Sequence, residues 1–405
     1  MLFHKIKVIL FYLSILCSAG CLIFLSSCHN DENIQPEQPE TLVSYDQLFY
    51  RTSDEIEILL SLAGLEDMTS FINYDINIYS ITYKTTYLGQ EITASGLVTF
   101  PDSELEFPML SFQHGTITKY TDAPTVDINL YGLFSSVAST GYIFCIPDYL
   151  GFGSSTTILH PYYHAESTAM AVVDMLKAVE ELGEALNYNY NGQVFLAGYS
   201  EGGYATLATH RFMEEEKLPG FDLIASAPAA GGYDLKGMQE YFFSLETYHQ
   251  PYYLAYVAMS YQQVYGFGDI LADLFQEPYA SEIPGYFNGS LSGNQINEAL
   301  TTNIADLLQP DILNNINTDT KYTYINDAFE MNRMDNWVPQ KRMILYHGTA
   351  DTTVPYQNSV DTYNNMISLG ASQNILSFVS LEGATHDSGI YPYIAQIINT
   401  FEGLK

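Results

Sequence analysis

Cysteine and basic residues are scarce in this chain of 405 residues. Four cysteines are present, and Lys and Arg total 14 against 47 Asp and Glu, which gives a formal net charge of −33. Nucleic acid binding depends on Lys and Arg that replace the counterions around phosphates, so nucleic acid is excluded as an expected partner. The acidic excess predicts a solvated surface and does not identify a substrate.

Sequence patterns for metal ligation are also missing. The chain has no His-Glu-x-x-His, no paired-cysteine spacing and no Asp-rich calcium loop. We therefore expect no metal and no cofactor. No internal repeat of a solenoid or propeller period is present either. The length then allows one large α/β domain with an insertion, or two modest domains.

The first 28 residues have the pattern of an export signal. A short basic region precedes an apolar run from Val8 to Leu25, and the segment ends in Leu25-Ser26-Ser27-Cys28. These last four residues resemble a bacterial lipobox, which implies a signal peptide over residues 1–27 and a diacylglyceryl group on the Cys28 thiol. Cys21 is the weaker alternative because no large aliphatic residue stands three positions before it. An uncleaved membrane-spanning helix also fits the length.

Residues 28–41 are polar and rich in Pro, Glu and Gln, so we expect a tether. The acidic patch directly after Cys28 resembles the surface-export signal of Bacteroidota lipoproteins. It implies a lipid anchor in the outer membrane. The side of the membrane that the protein faces stays open, and the cell exterior is one alternative. Only Cys145 is left as a free thiol, so no intramolecular disulfide is expected. Cys145 lies in an apolar run, as expected of a core residue.

The body of the chain alternates between apolar runs and segments of helical period. Alternating residues between Ile76 and Phe100 predict antiparallel strands solvated on one face. Six short apolar runs that fit buried parallel strands are Met109–Phe112, Tyr142–Ile146, Val194–Ala197, Leu223–Ala227, Met343–Tyr346 and Leu376–Leu381. The helical segments between them are about Asn129–Ala138, Glu166–Leu182, Gly203–Glu216, Gln357–Leu369 and Tyr391–Phe401. This alternation predicts a mostly parallel sheet with helices on both faces.

The alternation stops over residues 233–336, which are rich in Tyr and Phe. A structureless loop of this length is improbable in a compact domain, so we predict a helical cap between two parts of the core, residues 42–232 and 337–405. Amphipathic pieces within the cap include Ile270–Gln276 and Ile296–Leu308. Its aromatic residues either line a substrate cleft or form the core of the cap, and they include Tyr252, Tyr253, Tyr256, Tyr261 and Tyr265.

A Gly-x-Ser-x-Gly sequence stands between a predicted strand and a predicted helix. Val194–Ala197 runs directly into Gly198-Tyr199-Ser200-Glu201-Gly202 and then into a helix-forming run. This is the setting of a nucleophile elbow, in which a strained turn exposes the serine and side chains at the two glycine positions would collide. We therefore predict Ser200 as a nucleophile, placed at the positive end of a helix.

A serine hydroxyl needs a base to take its proton and a further group to orient that base. Asp351 stands in the loop after a predicted buried strand, and His386 stands after the last predicted strand. The order Ser, Asp, His, with one helix and one strand between acid and base, predicts Asp351 and His386 as the partners of Ser200. Asp234, beyond the preceding strand, is the rival acid.

The tetrahedral intermediate of such a reaction needs two backbone donors aimed at its oxyanion. One is predicted to be the amide of Glu201, directly after the nucleophile. The other is expected in the loop His114-Gly115-Thr116, after the first parallel strand, with Thr116 preferred to Gly115. His114 is expected to shape this loop rather than to act as a second base.

From about Ser80 to the C-terminus these motifs resemble the α/β-hydrolase superfamily, and specifically its secreted lipases, esterases and prolyl-oligopeptidase-like hydrolases. Further matches are Pro147-Asp148-Tyr149-Leu150-Gly151-Phe152-Gly153 and His160-Pro161-Tyr162. The resemblance implies structural rather than catalytic roles for Asp148 and His160. It also implies an α/β-hydrolase fold, with the cap inserted before the strand that leads to Asp351.

These features predict a serine hydrolase that cleaves an uncharged or lipid-like carboxylic ester through an acyl-enzyme intermediate. A serine peptidase, either prolyl-oligopeptidase-like or an aminopeptidase, is one alternative, and a non-catalytic surface binding module is another. No propeller domain fits before the first strands, because only Leu42–Asp75 separates them from the tether. The acyl-chain length, the alcohol and the oligomeric state do not follow from the sequence.

Overall fold

A nine-stranded sheet forms the centre of the molecule, within residues 40–405, which the computed structural model describes. The predicted leader, Cys28 and nearly all of the predicted tether lie outside the described residues. The strands are β1 Leu42–Arg51, β2 Ile76–Tyr87, β3 Gln90–Pro101, β4 Glu106–Gln113, β5 Ile143–Pro147, β6 Asn189–Tyr199, β7 Asp222–Ala229, β8 Arg342–Gly348 and β9 Leu376–Leu381.

The strand order across the sheet is β1-β2-β3-β5-β4-β6-β7-β8-β9. Six neighbouring strands pair in parallel, in the order β5, β4, β6, β7, β8 and β9. The strands β1, β2 and β3 pair antiparallel, and β3 is antiparallel to β5. The predicted mostly parallel sheet is therefore confirmed. Parallel strands place their carboxyl ends at one edge, which is where the loops after β4, β6, β8 and β9 meet.

Helices connect the strands. Outside the segment between β7 and β8 they are α1 Ser53–Leu62, α2 Ile128–Phe134, α3 Ala165–Leu186, α4 Glu201–Glu216, α13 Tyr356–Ser368 and α14 Ile390–Glu402. Alternate residues of β6 belong to different clusters: Val194 and Leu196 pack with residues of α3, and Phe195 and Ala197 pack with residues of α14. The sheet is thus covered by helices on both faces, as predicted.

Short helices fill the segment between β7 and β8. They are α5 Leu235–Ser244, α6 Tyr252–Tyr265, α7 Leu271–Leu274, α8 Tyr279–Tyr286, α9 Gly293–Ala299, α10 Ile304–Leu307, α11 Pro310–Asn315 and α12 Thr323–Asn332. Their apolar side chains pack in one cluster with residues of α13 and of the β8 and β9 strands. We call this segment, residues 235–332, the inserted helices. No helix in the described part of the chain is long and apolar enough to cross a bilayer.

Two expectations about the N-terminal half of the sheet need correction. The first strand does not begin at about Ile76, because the segment Leu42–Asp75 contains the edge strand β1 and helix α1. Strand β3 is also not solvated on one face, since its residues from Ala94 onward are buried. Helix α3 packs on this part of the sheet, and short 3-10 turns pack against β3 as well. The alternation of residues in the sequence was therefore not a sign that one face of β3 is exposed to solvent. Cys145 is buried in β5, as predicted.

Candidate active site

Ser200 lies at the turn between β6 and α4. Its backbone has φ 63° and ψ −124°, a region that residues with a side chain rarely adopt, and its N–H donates to the Ala229 carbonyl at 2.9 Å. The turn is closed enough that a Cβ on Gly202 would overlap the carbonyl of Gln113, and one on Gly198 would overlap the carbonyl of Gly202. Glycine at both positions therefore permits the strained turn that holds Ser200 at the end of the strand.

His386 connects Ser200 to Asp351. Its Nε2 is 2.9 Å from the Ser200 Oγ, and its Nδ1 is 2.6 Å from the Asp351 Oδ2. A carboxylate accepts, so Nδ1 carries the hydrogen and Nε2 is left to accept from the serine hydroxyl. The loop after β9 is fixed to the elbow by Tyr199, whose hydroxyl donates to the His386 carbonyl at 2.8 Å. The three side chains form one continuous hydrogen-bonded chain.

The Asp351 carboxylate is buried, and both of its oxygens are hydrogen-bonded. The amides of Thr353 and Val354 donate to its Oδ1 at 2.9 and 3.0 Å, and His347 and His386 both approach its Oδ2. Burial raises the pKa of Asp351, but the hydrogen bonds from the two histidines and their charges lower it by more, so its pKa lies well below the usual range. Asp351 is thus held ionised next to His386.

The rival acid, Asp234, lies elsewhere. It stands at the N-terminus of α5, where its backbone exchanges hydrogen bonds with the side chain of Asn358, and no hydrogen bond joins it to His386. The geometry thus pairs His386 with Asp351.

The loop after β4 lies beside the nucleophile. A Cβ placed on Gly115 would be 3.6 Å from the Ser200 Cβ, so the two backbones are in close proximity. The Nδ1 of His114 is 2.7 Å from the Gly115 carbonyl, and the Thr116 hydroxyl is 2.9 Å from the Tyr162 hydroxyl. No described residue accepts from the backbone amides of Thr116 or Glu201. Their role as oxyanion donors stays a prediction.

The His114 ring supports the shape of this loop. It is buried, and burial lowers its pKa, so the ring is neutral near pH 7. Since the carbonyl of Gly115 is an acceptor, Nδ1 carries the hydrogen. The carbonyl of one residue and the N–H of the next belong to the same planar peptide and point in opposite directions. Holding the Gly115 carbonyl therefore also fixes the direction of the Thr116 N–H.

Two side-chain contacts near the site were not anticipated from the sequence. The carboxylate of Glu201 is buried and lies 2.6 Å from Nε2 of His160, and His347 contacts Asp351. His347 precedes Asp351 by four residues at the end of a buried strand, which is a local signal. Glu201 and His160 are 41 residues apart, and nothing in the sequence links them. Asp148 is buried and accepts from Ser95 and Thr125 rather than joining the catalytic group.

Ser200 lines an apolar pocket that extends among the inserted helices. Its lining includes no Asp, Glu, Lys, Arg or His from the described part of the chain. Most of the lining side chains are aliphatic or phenylalanine, among them Leu235, Phe242, Leu254, Val257, Leu308 and Ile325. Of the five cap tyrosines singled out in the sequence, Tyr253 and Tyr261 line the pocket, while Tyr252 and Tyr256 are buried in the core beside it.

No group of three or more His, Cys, Asp or Glu within residues 40–405 is arranged to hold a metal ion. The site that these residues form consists of a hydroxyl, an imidazole, a carboxylate and backbone amides. Such a set can activate a serine for attack on a carbonyl carbon.

The chain is similar to a lipase family and to several solved structures. A model of the secretory lipase family matches residues 119–235, a range that includes Ser200 but not Asp351 or His386. A protein from Legionella pneumophila that is described as a hydrolase has a structure similar to this one, with a TM-score of 0.82 and 28% identity over 90% of this chain and 98% of that chain. A search of curated proteins found no match.

Two further solved structures have the same fold at lower identity. The rice cell wall degrading esterase LipA from Xanthomonas oryzae is 24% identical, with a TM-score of 0.79 over 91% of this chain and 100% of that chain. Candida antarctica lipase A in its closed state is 14% identical, with a TM-score of 0.64 over 91% of this chain and 83% of that chain. This chain has the α/β-hydrolase fold. The predicted fold is therefore confirmed, and the match over residues 119–235 together with the esterase and lipase neighbours supports an enzyme that hydrolyses carboxylic esters.

Proposed function

We propose that this α/β-hydrolase is a serine hydrolase that cleaves carboxylic esters through an acyl-enzyme intermediate. The proposal depends on one observation, the hydrogen-bonded chain from Ser200 through His386 to Asp351, with Ser200 in the lining of an apolar pocket. A hydroxyl, an imidazole and a buried carboxylate in this order are what acyl transfer to serine requires.

The reaction has two halves. His386 takes the proton of the Ser200 hydroxyl through Nε2 while Oγ attacks the ester carbonyl, and Asp351 stabilises the imidazolium that forms. The backbone amides of Glu201 and Thr116 donate to the oxyanion. His386 then gives its proton to the departing alcohol, which leaves the acyl group on Ser200. A water molecule, deprotonated by His386, releases the acid by the same route in reverse.

The lining of the pocket supports an uncharged, apolar acyl group as the part of the substrate that binds there. Burial of each methylene in such a pocket is worth about 0.8 kcal/mol. An aminopeptidase needs an acidic side chain to bind the α-amino group of its substrate, and none of the described residues supplies one to the pocket. The pocket therefore favours an ester of lipid-like character over the substrate of an aminopeptidase.

The test is intact-mass analysis after treatment with a fluorophosphonate, combined with turnover of nitrophenyl esters of increasing chain length and of aminoacyl anilides. We expect one adduct, absent in Ser200→Ala, and turnover of the esters only. Thr302→Ala, a change at an exposed residue among the inserted helices, serves as a control that keeps both reactions. Turnover of anilides in place of esters would contradict the ester assignment, and a folded wild type that gives no adduct and no turnover would contradict the hydrolase.

We also propose that the chain is a lipoprotein of the outer membrane, anchored through Cys28 at the start of the tether formed by residues 28–41. The division of the mature chain into a core of residues 42–232 and 337–405 and a cap of residues 233–336 belongs to the same proposal. Mass spectrometry of the N-terminal peptide from the membrane fraction is expected to find an acylated Cys28, and Cys28→Ala to abolish membrane attachment. An intact Met1 would contradict the anchor.

A further inference from the structure

A second imidazole contacts the carboxylate of Asp351. His347 stands near the end of β8 and is fully buried. Its Nε2 lies 3.1 Å from the Asp351 Oδ2 and 3.0 Å from the Val354 carbonyl oxygen, and its Nδ1 lies 2.6 Å from the Ser359 Oγ. The proposed mechanism uses only His386, so the structure leaves His347 without an assigned task.

The partners of His347 decide where its hydrogen lies. Both oxygens near Nε2 can only accept, so Nε2 carries the hydrogen and donates between them. The Ser359 hydroxyl can donate to Nδ1 of the neutral ring. Through Nε2, His347 is thus a hydrogen-bond donor to the triad carboxylate, held in that role from the other side by helix α13.

The carboxylate of Asp351 is consequently fixed by four donors. Two backbone amides hold Oδ1, which leaves Oδ2 to be shared between His347 and His386. A carboxylate with only His386 on Oδ2 would be held less firmly about its Cβ–Cγ bond, and it would also give all of the charge on that oxygen to His386. Sharing the oxygen therefore has two effects, on the orientation of the carboxylate and on how strongly it stabilises a protonated His386.

We propose that His347 is a positioning residue for the triad, which fixes the Asp351 carboxylate and limits the stabilisation that this carboxylate gives to protonated His386. The inference rests on the proposed function, since it assigns His347 a role in the same reaction. A residue that only filled space in the core would not need a donor aimed at the oxygen that orients the base.

Few other titratable groups face these two rings. The side chain of Asp351 faces both of them, and the ring of Tyr199 on β6 lies 5.4 Å from that of His386. Asp387 is the next residue in the same loop. On the other side, the ring of Tyr356 on α13 lies 5.8 Å from that of His347. Asp351 is the group that both imidazoles share, so a change at His347 acts on His386 through it.

The experiment compares His347→Leu, which cannot donate, with His347→Gln, whose side-chain amide can. We expect His347→Leu to lower kcat at least tenfold with little change in KM, because the contact concerns the base and not the substrate. The midpoint of the acid limb of kcat/KM moves up by about 0.5 to 1 pH unit, as expected for the loss of one competing hydrogen bond. His347→Gln keeps the midpoint within about 0.2 unit of the wild type.

His210 supplies a matched control. It is also fully buried, with a serine hydroxyl on Nδ1 at 2.6 Å and a carboxylate, that of Glu214, on Nε2 at 2.9 Å, but it lies outside the triad. His210→Leu is expected to lower the melting temperature without moving the acid limb. Fluorophosphonate titration gives the fraction of active sites in each variant, so kcat is compared among folded molecules.

A readout that does not need turnover separates this inference from the proposed function. The imidazole of His386 is titrated by NMR in the wild type and in His347→Gln and His347→Leu. An upward shift in His347→Leu alone supports the inference, even where no ester is hydrolysed. A folded His347→Leu with unchanged kcat and an unchanged titration of His386 overturns it. Where His347→Leu does not fold, a midpoint in His347→Gln that departs from the wild type by about 0.5 pH unit or more also overturns it, because this side chain can still donate.

Discussion

The imidazole of His160 and the carboxylate of Glu201 form a buried pair immediately behind the nucleophile. Their Nε2 and Oε1 atoms are 2.6 Å apart, and the other nitrogen of His160 donates to the Leu150 carbonyl at 2.7 Å. Because Nδ1 carries a hydrogen, one further proton is shared between Nε2 and the carboxylate, so the pair as a whole is neutral. A glutamate next to Ser200 thus adds no net charge where an oxyanion is expected to form.

This pair predicts a rescue. His160→Leu leaves the Glu201 carboxylate buried and unpaired, which is expected to cost about 3–5 kcal/mol of unfolding free energy and to lower kcat. Glu201→Gln in the His160→Leu background removes the charge and is expected to restore part of both. Urea unfolding and ester turnover measure the two effects. A double variant no better than His160→Leu in either measurement would contradict the charge argument.

Asp351 and Asp234 are expected to respond differently to the same substitution. Asp351→Asn presents an amide to His386, which disfavours the tautomer that accepts from Ser200, so turnover should fall by roughly four orders of magnitude, as in the protease triad. Asp234→Asn is the matched control and should leave kcat within a few-fold of the wild type. A larger loss in Asp234→Asn would show that the acid is misassigned.

The low pKa of Asp351 predicts a pH-dependent contribution to stability. Its folded-state pKa lies below the unfolded value of about 3.9, so the carboxylate stabilises the fold fully above that value and less as the pH falls below it. The difference in unfolding free energy between wild type and Asp351→Asn is therefore expected to shrink as the pH is lowered from about 5 to 2. Denaturant unfolding of both proteins across this range is the measurement, and a constant difference would contradict it.

One wall of the apolar pocket is expected to limit the length of the acyl chain. Phe267 and Ile270 line both the apolar pocket beside Ser200 and a small surface pocket with Asp273, so they form the wall between the two. Ile270→Ala should open this wall and raise kcat/KM several-fold for chains longer than the wild-type optimum. Asp273→Asn changes only the outer side and should keep the wild-type chain-length profile. An unchanged profile in Ile270→Ala would place the limit elsewhere.

Tyr393 of α14 is expected to stabilise the elbow. Its buried hydroxyl accepts from the Gly198 N–H at 2.8 Å and donates to the Ala227 carbonyl at 2.5 Å. Tyr393→Phe leaves two buried backbone groups unpaired, which should cost about 1–3 kcal/mol. Tyr83 is also buried, and its hydroxyl has no partner among the described residues, so Tyr83→Phe is the control with no loss. Equal losses in both would contradict the assignment.

How much of this site is readable from the sequence depends on the range of the interaction. The elbow is local, because the two glycines, the serine and the flanking strand and helix lie within some twenty residues. The alternation of apolar runs and helical segments is local as well, and its regular order predicts the parallel sheet. Since parallel strands end at one edge, the loops that carry Ser200, Asp351 and His386 were expected to meet, and the structure brings those side chains within hydrogen-bonding distance.

The remaining features depend on contacts between distant segments. Strand β1 has exposed apolar residues and no buried alternation, so only its pairing with β2 identifies it as an edge strand. The pairing of His160 with Glu201 and the pocket among the inserted helices arise from packing between elements that the sequence does not relate. By itself the sequence determined the elbow, the order of the elements and the edge of the sheet at which three loops meet. Which imidazole contacts which carboxylate, and the apolar lining beside Ser200, were decided by the tertiary structure, because side-chain partners follow from packing rather than from local periodicity.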